Sequence, residues 1–201
     1  VCSSDLQAAL AEDAAFFAEM VGYVYRRGDH QGLGESGAEL QRAMAKRAFE
    51  VLHTWRLCPG MQEDGTLDEA RLFQWVIAAR ERLRENDLLE QGDILIGQVL
   101  AFAPPDRDGM FPPRAVRELL EEVRSGGIET GLRIGIYNRR GVVSRGVLEG
   151  GAQERVLART YLEQAESAAE WPRSRKILKA LADDYERYAL WQDRRAELRH
   201  R

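Results

Sequence analysis

Apolar side chains recur every three or four positions along most of this chain, the spacing that places them on one face of an α-helix. One such stripe runs from Phe16 to Val24, and another runs from Leu72 to Leu83. Further stripes are Leu40–Met44–Ala48–Val51–Leu52–Trp55, Leu88–Leu89–Ile94–Leu95–Val99–Phe102, Val116–Leu119–Leu120–Val123, Val156–Leu157–Thr160–Tyr161–Ala168 and Ile177–Leu178–Leu181–Tyr185–Tyr188. We therefore predict an all-α fold of seven or eight helices, each about 12 to 25 residues long.

Proline, glycine and capping signals predict where these helices begin and end. Pro59-Gly60, Pro104-Pro105 and Trp171-Pro172 each stop a helix, because proline lacks an N–H and restricts the residue before it. Thr66 and Glu69 have capping-box spacing, which predicts a helix beginning at Thr66. The short connections favour antiparallel helical hairpins. An irregular bundle and a short HEAT-like array both fit, because no sharp repeat period is present.

Residues 125–151 differ from the rest of the chain, since they hold eight of its eighteen glycines. Two local structures fit residues 128–143. In a helix, Ile128, Leu132 and Ile136 share one face, while Gly131 and Gly135 leave room for a neighbouring helix. In a hairpin, residues 132–136 alternate and residues 138–141 form the turn. Interior glycines weaken a helix, but a lone hairpin is only marginally stable. The surrounding helices favour the helix.

This segment also carries the candidate anion-binding or partner-binding residues. They are Asn138, Arg139, Arg140, Ser144, Arg145 and Glu149. Arginines beside exposed backbone N–H groups are able to bind phosphate. The spacing matches neither a Walker loop nor a dinucleotide-binding motif. The alternative is an ordered connection whose arginines pair with acidic helix faces, and we favour that alternative.

Composition limits the other functions open to this chain of 201 residues, 44% hydrophobic and 31% charged. No apolar run approaches the ~18 residues of a membrane span. The three histidines lie far apart and have no metal-ligand spacing, so we expect no metal and no cofactor. No nucleophile elbow is present. We therefore expect no enzymatic activity. Cys58 is the only cysteine after residues 1–6, which fits a reducing, cytoplasmic location.

Charge is unevenly distributed along the chain, whose net charge is −4. Residues 171–201 hold nine Lys or Arg and five Asp or Glu, which leaves the remainder of the chain at −8. A basic end of this kind is able to contact nucleic acid or an acidic partner. Tyr188 and Trp191 lie within it and could stack on bases. We favour the simpler interpretation, in which the charges form the solvated face of a helix.

The beginning of the chain, Val1 to Leu6, resembles the translation of a common sequencing adapter. Such a segment is excluded from fold reasoning. We expect residues 1–6 to be non-native and residues 7–201 to form a single helical domain. We also expect this domain to be the C-terminal piece of a larger protein.

A second resemblance covers nearly all of the chain after that segment. Residues 135–146 and 149–155 resemble the C-terminal region of a family of long, uncharacterised bacterial proteins. Trp55 with Pro59-Gly60, Asp64-Gly65 and Trp171-Pro172-Arg173 fit the same family. The resemblance implies the C-terminal region of a large cytoplasmic protein, and it implies no activity and no catalytic residue.

Together these patterns predict a non-catalytic helical interaction or scaffold module of a large bacterial cytoplasmic protein. Its expected partner is another protein or the N-terminal domains of the same chain. Large cytoplasmic assemblies, including those of anti-phage defence, provide the analogy. The alternative function is a nucleic-acid or phosphate-binding module that uses residues 125–151.

Overall fold

A computed structural model describes residues 3–26, 35–106, 108–140 and 150–199. These residues form nine α-helices and no strand, which confirms the predicted all-α fold. The helices are α1 (Ser3–Glu12), α2 (Ala14–Tyr25), α3 (Glu35–Thr54), α4 (Glu69–Glu85), α5 (Leu89–Leu100), α6 (Arg114–Val123), α7 (Gly126–Arg139), α8 (Ala152–Ser167) and α9 (Pro172–Arg199).

The described residues form one helix more than the seven or eight predicted, because Asp13 divides the beginning of the chain into two helices. Its carboxylate accepts hydrogen bonds from the backbone N–H groups of Ala15, at 2.8 Å, and Phe16, at 3.2 Å. This N-cap begins α2 and separates it from α1. Leu6 of α1 packs, partly buried, against the main core.

The predicted capping box at Thr66 is wrong. The Thr66 hydroxyl and backbone N–H both donate to the Asp64 carboxylate, at 2.6 Å and 2.9 Å, which closes a turn before the helix. Asp68 is the N-cap of α4, and its carboxylate accepts from the backbone N–H of Arg71 at 3.0 Å. The Thr66 hydroxyl is thus engaged by the turn and does not cap the helix, and α4 begins at Glu69 after its N-cap Asp68.

The predicted stripe of α3 is buried only in its second half. Ala48, Val51 and Leu52 lie in the core, whereas Leu40 is 63% exposed and Met44 is 37% exposed. Periodicity identified the helix correctly, but it could not show where the neighbouring helices end.

Three aromatic rings form the centre of the N-terminal half. Phe17 lies 5.4 Å from Trp55 and 5.1 Å from Trp75, and the two tryptophans lie 5.7 Å apart between ring centroids. The Trp75 indole N–H donates to the Leu10 carbonyl at 3.1 Å. This cluster joins α1, α2 and α4 to the segment that follows α3.

Helix α5 is central, as its apolar middle predicts, and it packs closely against α7. A Cβ on Gly131 would lie 2.8 Å from the Ile94 carbonyl carbon, and one on Gly135 would lie 2.7 Å from the Gln98 carbonyl oxygen. These contacts advance in the same direction along α5 and α7, so the two helices run parallel. Residues 126–139 are helical, as the sequence favoured, with Ile128, Leu132 and Ile136 buried, and residues 141–143 lie outside the described residues.

Helices α8 and α9 form an antiparallel hairpin. Arg155 near the start of α8 pairs with Asp193 near the end of α9, and Tyr161 stacks on Tyr185 at 5.6 Å. A small cluster of Ala165, Ala168 and Leu178 completes the other end. Among the described residues, no helix combines the length and apolarity that a membrane span requires.

Candidate functional site

Helix α7 contacts α9 through a second face, on the side of the helix opposite Gly131 and Gly135, which contact α5. Glu129 pairs with Arg173 and lies 3.7 Å from the Lys176 ammonium. One turn later Arg133 lies 3.7 Å from Asp184, and after a further turn Tyr137 lies 5.6 Å from Tyr185. These pairs advance in the same direction along both helices, so α7 and α9 also run parallel.

The outer side of this contact opens into a groove with a volume of about 450 Å³. Helix α7 contributes Arg133, Ile134, Tyr137 and Asn138. Helix α9 contributes Asp184, Arg187, Tyr188 and Trp191. We call this feature the α7–α9 groove. Its apolar side chains remain accessible, with Ile134 36%, Tyr137 40% and Trp191 49% exposed.

Aromatic rings form much of the groove wall. Tyr188 stacks on Trp191 with the ring centroids 5.5 Å apart and the planes 12° from parallel. The Arg195 guanidinium lies 5.2 Å from the Trp191 ring centroid, a cation–π arrangement. On the α7 side, Tyr137 contacts the buried Tyr185, whose pKa is raised by burial to about 12.

The charges of the groove are unbalanced. Arg133 and Arg187 both approach the single carboxylate of Asp184. Two guanidinium groups sharing one carboxylate retain one net positive charge. Their side chains are 44% and 70% exposed, so this charge is accessible to an incoming ligand.

The structure engages the two described arginines of the predicted anion site in internal contacts. Arg139 donates to the carbonyl of Ala101, and its guanidinium lies 5.2 Å from the Phe111 ring centroid. Arg140 pairs with Glu154 at 2.5 Å, where the Glu154 side chain is fully buried. The Arg140–Glu154 contact therefore agrees with the alternative interpretation, in which the arginines of this segment pair with acidic helix faces.

The remaining predicted site residues are divided between the groove and the undescribed segment. Asn138 lies on the exposed side of α7 and lines the groove. Ser144, Arg145 and Glu149 lie outside the described residues. The structure thus brings Asn138 together with Tyr188 and Trp191, the two residues noted in the sequence as able to stack.

Sequence reasoning missed Arg133, Ile134, Tyr137 and Arg187 as groove residues. A signal for them existed, because Arg187, Trp191 and Arg195 recur every fourth residue and share one face of α9. The spacing of Arg133 and Tyr137 places them likewise on one face of α7. What the sequence did not indicate is that these two faces adjoin.

The described residues contain no group of histidine, cysteine, aspartate or glutamate side chains able to hold a metal ion. Cys58 is fully buried, and desolvation raises the pKa of its thiol to about 12. A thiol of this kind is a poor nucleophile at neutral pH. The groove itself presents rings, aliphatic side chains and guanidinium groups, which are suited to binding.

No protein-family model, no curated protein and no solved structure matches this chain.

Proposed function

We propose that this chain is an interaction module without chemistry of its own, and that it binds a protein partner in the α7–α9 groove. The observation that carries the proposal is the groove itself, where Ile134, Tyr137 and Trp191 stay exposed on two adjoining helices. Contiguous exposed apolar surface of this kind is typical of sites where another molecule binds.

The residue types in the groove support a protein partner. Aromatic residues and arginine are enriched at protein–protein interfaces and dominate their binding energy. Trp191, Tyr188 and Arg187 provide both types within two turns of α9. The contact of Tyr137 with the buried Tyr185 holds the α7 side in place, which lowers the entropy cost of binding.

Site-specific photo-crosslinking in the native host tests this proposal. A photoreactive amino acid replaces Trp191 in the full-length protein, and a matched protein carries it at Val156, which is 65% exposed on α8. We expect a discrete protein adduct from position 191 that is absent from position 156 and is suppressed by Ile134→Asp. Equal labelling at the two positions, or a product destroyed by nuclease, contradicts a protein partner in the groove.

We further propose that the module forms the C-terminal region of a large bacterial cytoplasmic protein, in the manner of the assemblies used in defence. The support is the sequence resemblance of residues 135–146 and 149–155 and of the Trp171-Pro172-Arg173 landmark. Cloning the full-length gene and locating its product by cell fractionation tests this proposal. A gene that encodes no further domain contradicts it.

Nucleic-acid or phosphate binding is the second candidate function, because Arg187, Trp191 and Arg195 alternate cation and ring along α9. Binding of DNA and RNA oligonucleotides at two salt concentrations tests it, and no binding at low salt rejects it. Replacing Arg139, Arg140 and Arg145 with alanine tests the Gly/Arg-rich segment. Thermal unfolding must accompany that variant, because Arg140→Ala also removes an ion pair of the buried Glu154.

A further inference from the structure

We propose that the occupant of the α7–α9 groove is an acidic amphipathic helix of a partner protein. This inference rests on the proposed docking function of the groove and adds the chemistry of the ligand. Three features define that chemistry: an apolar wall, an excess of guanidinium groups and flanking helices.

The apolar wall selects aliphatic or aromatic anchors. Ile134 and Tyr137 on α7 face Tyr188 and Trp191 on α9 across the groove. Residues three or four apart on a helix lie ~5–6 Å from one another, so two successive anchors of a partner helix fit along this wall.

The charge of the groove selects acidic flanks on those anchors. Arg133 and Arg187 both lie beside the single Asp184 carboxylate, and Arg195 lies over the Trp191 ring further along α9. Arg133 Nε lies 3.7 Å from Asp184, too far for a hydrogen bond, and its side chain is 44% exposed. A carboxylate on the partner is able to approach Arg133 more closely than Asp184 does, and to form a charge-assisted hydrogen bond there.

The flanking helices select a helical occupant. An extended peptide leaves its backbone N–H and C=O groups without partners unless a strand edge receives them. The groove walls are α-helices whose backbone groups are already hydrogen-bonded within α7 and α9. A helix satisfies its own backbone groups and requires only side-chain contacts from the groove.

A nucleic-acid strand fits the groove less well. Tyr188 already stacks on the Trp191 ring and Arg195 lies over it, so a base must compete with both. The chain outside residues 171–201 carries a net charge of −8, which repels a long polyanion but not a short acidic segment held at the groove.

Synthetic peptides of about 14 residues, long enough for roughly four helical turns, test the inference on the complete chain. The acidic peptide carries leucines at helical spacing and glutamates on both flanks. One matched peptide replaces the glutamates with lysines, and another replaces the leucines with alanines. An oligouridylate serves as the nucleic-acid probe. Each probe carries a fluorescent dye, and the change in its fluorescence anisotropy on titration with the complete chain provides the signal.

Arg187→Glu and Arg82→Glu form a matched pair of variants, because each arginine pairs with an acidic residue three positions away on an exposed helix face. We expect the acidic peptide to bind, and Arg187→Glu to weaken its binding about tenfold, which corresponds to ~1.4 kcal/mol. Arg82→Glu leaves binding within about twofold, well inside that margin. Arg187→Glu also gains affinity for the lysine peptide, a charge-swap effect that loss of folding cannot produce.

Several outcomes overturn the inference: no saturable binding of the acidic peptide, equal binding of the lysine or alanine peptide, equal effects of the two variants, or stronger binding of oligouridylate.

The docking proposal fails separately. A groove-specific protein adduct at position 191 combined with any of these outcomes means that the groove binds a protein of different chemistry. Absence of that adduct contradicts docking itself.

Discussion

Arg80 of α4 and Asp93 of α5 form a bidentate ion pair in the interior of the fold. The Arg80 Nε–Asp93 Oδ1 distance is 2.9 Å, the Nη2–Oδ2 distance is 3.1 Å, and the two side chains are only 16% and 5% exposed. Ser125, the N-cap of α7, donates its hydroxyl to the same carboxylate at 2.5 Å and accepts from the Ile128 N–H. One carboxylate therefore joins α4 and α5 to the start of α7.

Asp93→Ala is expected to lower the free energy of unfolding by about 3–5 kcal/mol, because it leaves the Arg80 guanidinium buried without this partner. Urea unfolding followed by far-UV circular dichroism measures the change. Arg47→Ala is the control, since Arg47 and Glu50 form an exposed pair 3.8 Å apart that contributes about 0–1 kcal/mol. Equal effects of the two substitutions would show that burial of the Arg80–Asp93 pair has no energetic consequence.

The close contact of α5 and α7 predicts opposite effects for one substitution at two positions of α7. Gly131→Ala is expected to destabilise the protein by about 1–3 kcal/mol, because the new methyl group overlaps the Ile94 carbonyl group. Gly126→Ala meets no atom within 4 Å and is expected to stabilise by about 0.5–1 kcal/mol, because alanine favours the helix. Chemical denaturation of both variants checks the pair, and a neutral Gly131→Ala would contradict the close approach.

Burial of Cys58 predicts both thiol protection and an alkaline loss of stability. Its folded pKa of about 12 exceeds the ordinary 9.0, so the unfolded thiol ionises first as the pH rises. The contribution of the buried Cys58 thiol to the free energy of unfolding is fully present below pH 9 and is lost as the pH rises through 12.

Burial also predicts protection of this thiol from reagents. In a Cys2→Ser background at pH 8, we expect the rate of Cys58 labelling to match the rate of unfolding. Fast labelling of the folded protein would contradict this burial.

Asp108 predicts an acidic loss of stability. A hydrogen bond from the buried Arg117 lowers the pKa of this carboxyl below its ordinary 3.8. The contribution of the Asp108 carboxylate to the free energy of unfolding is therefore present above pH 3.8 and is lost as the pH falls through the lower pKa of the folded state. We expect Asp108→Asn to lower the melting temperature at pH 6 and to have a diminishing effect toward pH 2. In an Arg117→Met background that pH dependence should disappear, and its persistence would assign it to another group.

Local patterns predicted most of the helices, because a helix depends on residues only three or four positions apart. The Ile128, Leu132 and Ile136 stripe and the close-packing role of Gly131 both follow from spacing within α7. The predicted start of α4 at Thr66 was wrong, because the Thr66 hydroxyl donates to the Asp64 carboxylate at 2.6 Å and does not cap the helix. The exposure of Leu40 depended on neighbours that no local pattern reveals.

The candidate site was predicted only in part. The sequence identified Asn138 as a candidate binding residue, and Tyr188 and Trp191 as able to stack, but it offered no reason to combine them. Arg139 and Arg140 were candidates because of their charge, yet Ala101 and Glu154 engage them. The partner of a long side chain depends on which helices pack nearby, which sequence spacing does not contain.

The sequence by itself determined that this chain is helical and which residues form each apolar face, because those properties are set within single turns. Only the tertiary structure decided that α7 runs parallel to α9, so that Ile134 and Trp191, 57 positions apart in the chain, line one groove. The glycine contact with α5 fixes one side of α7, and the pairing of Arg133 with Asp184 orients another. Both are long-range contacts, and their geometry exists only when the whole core has formed.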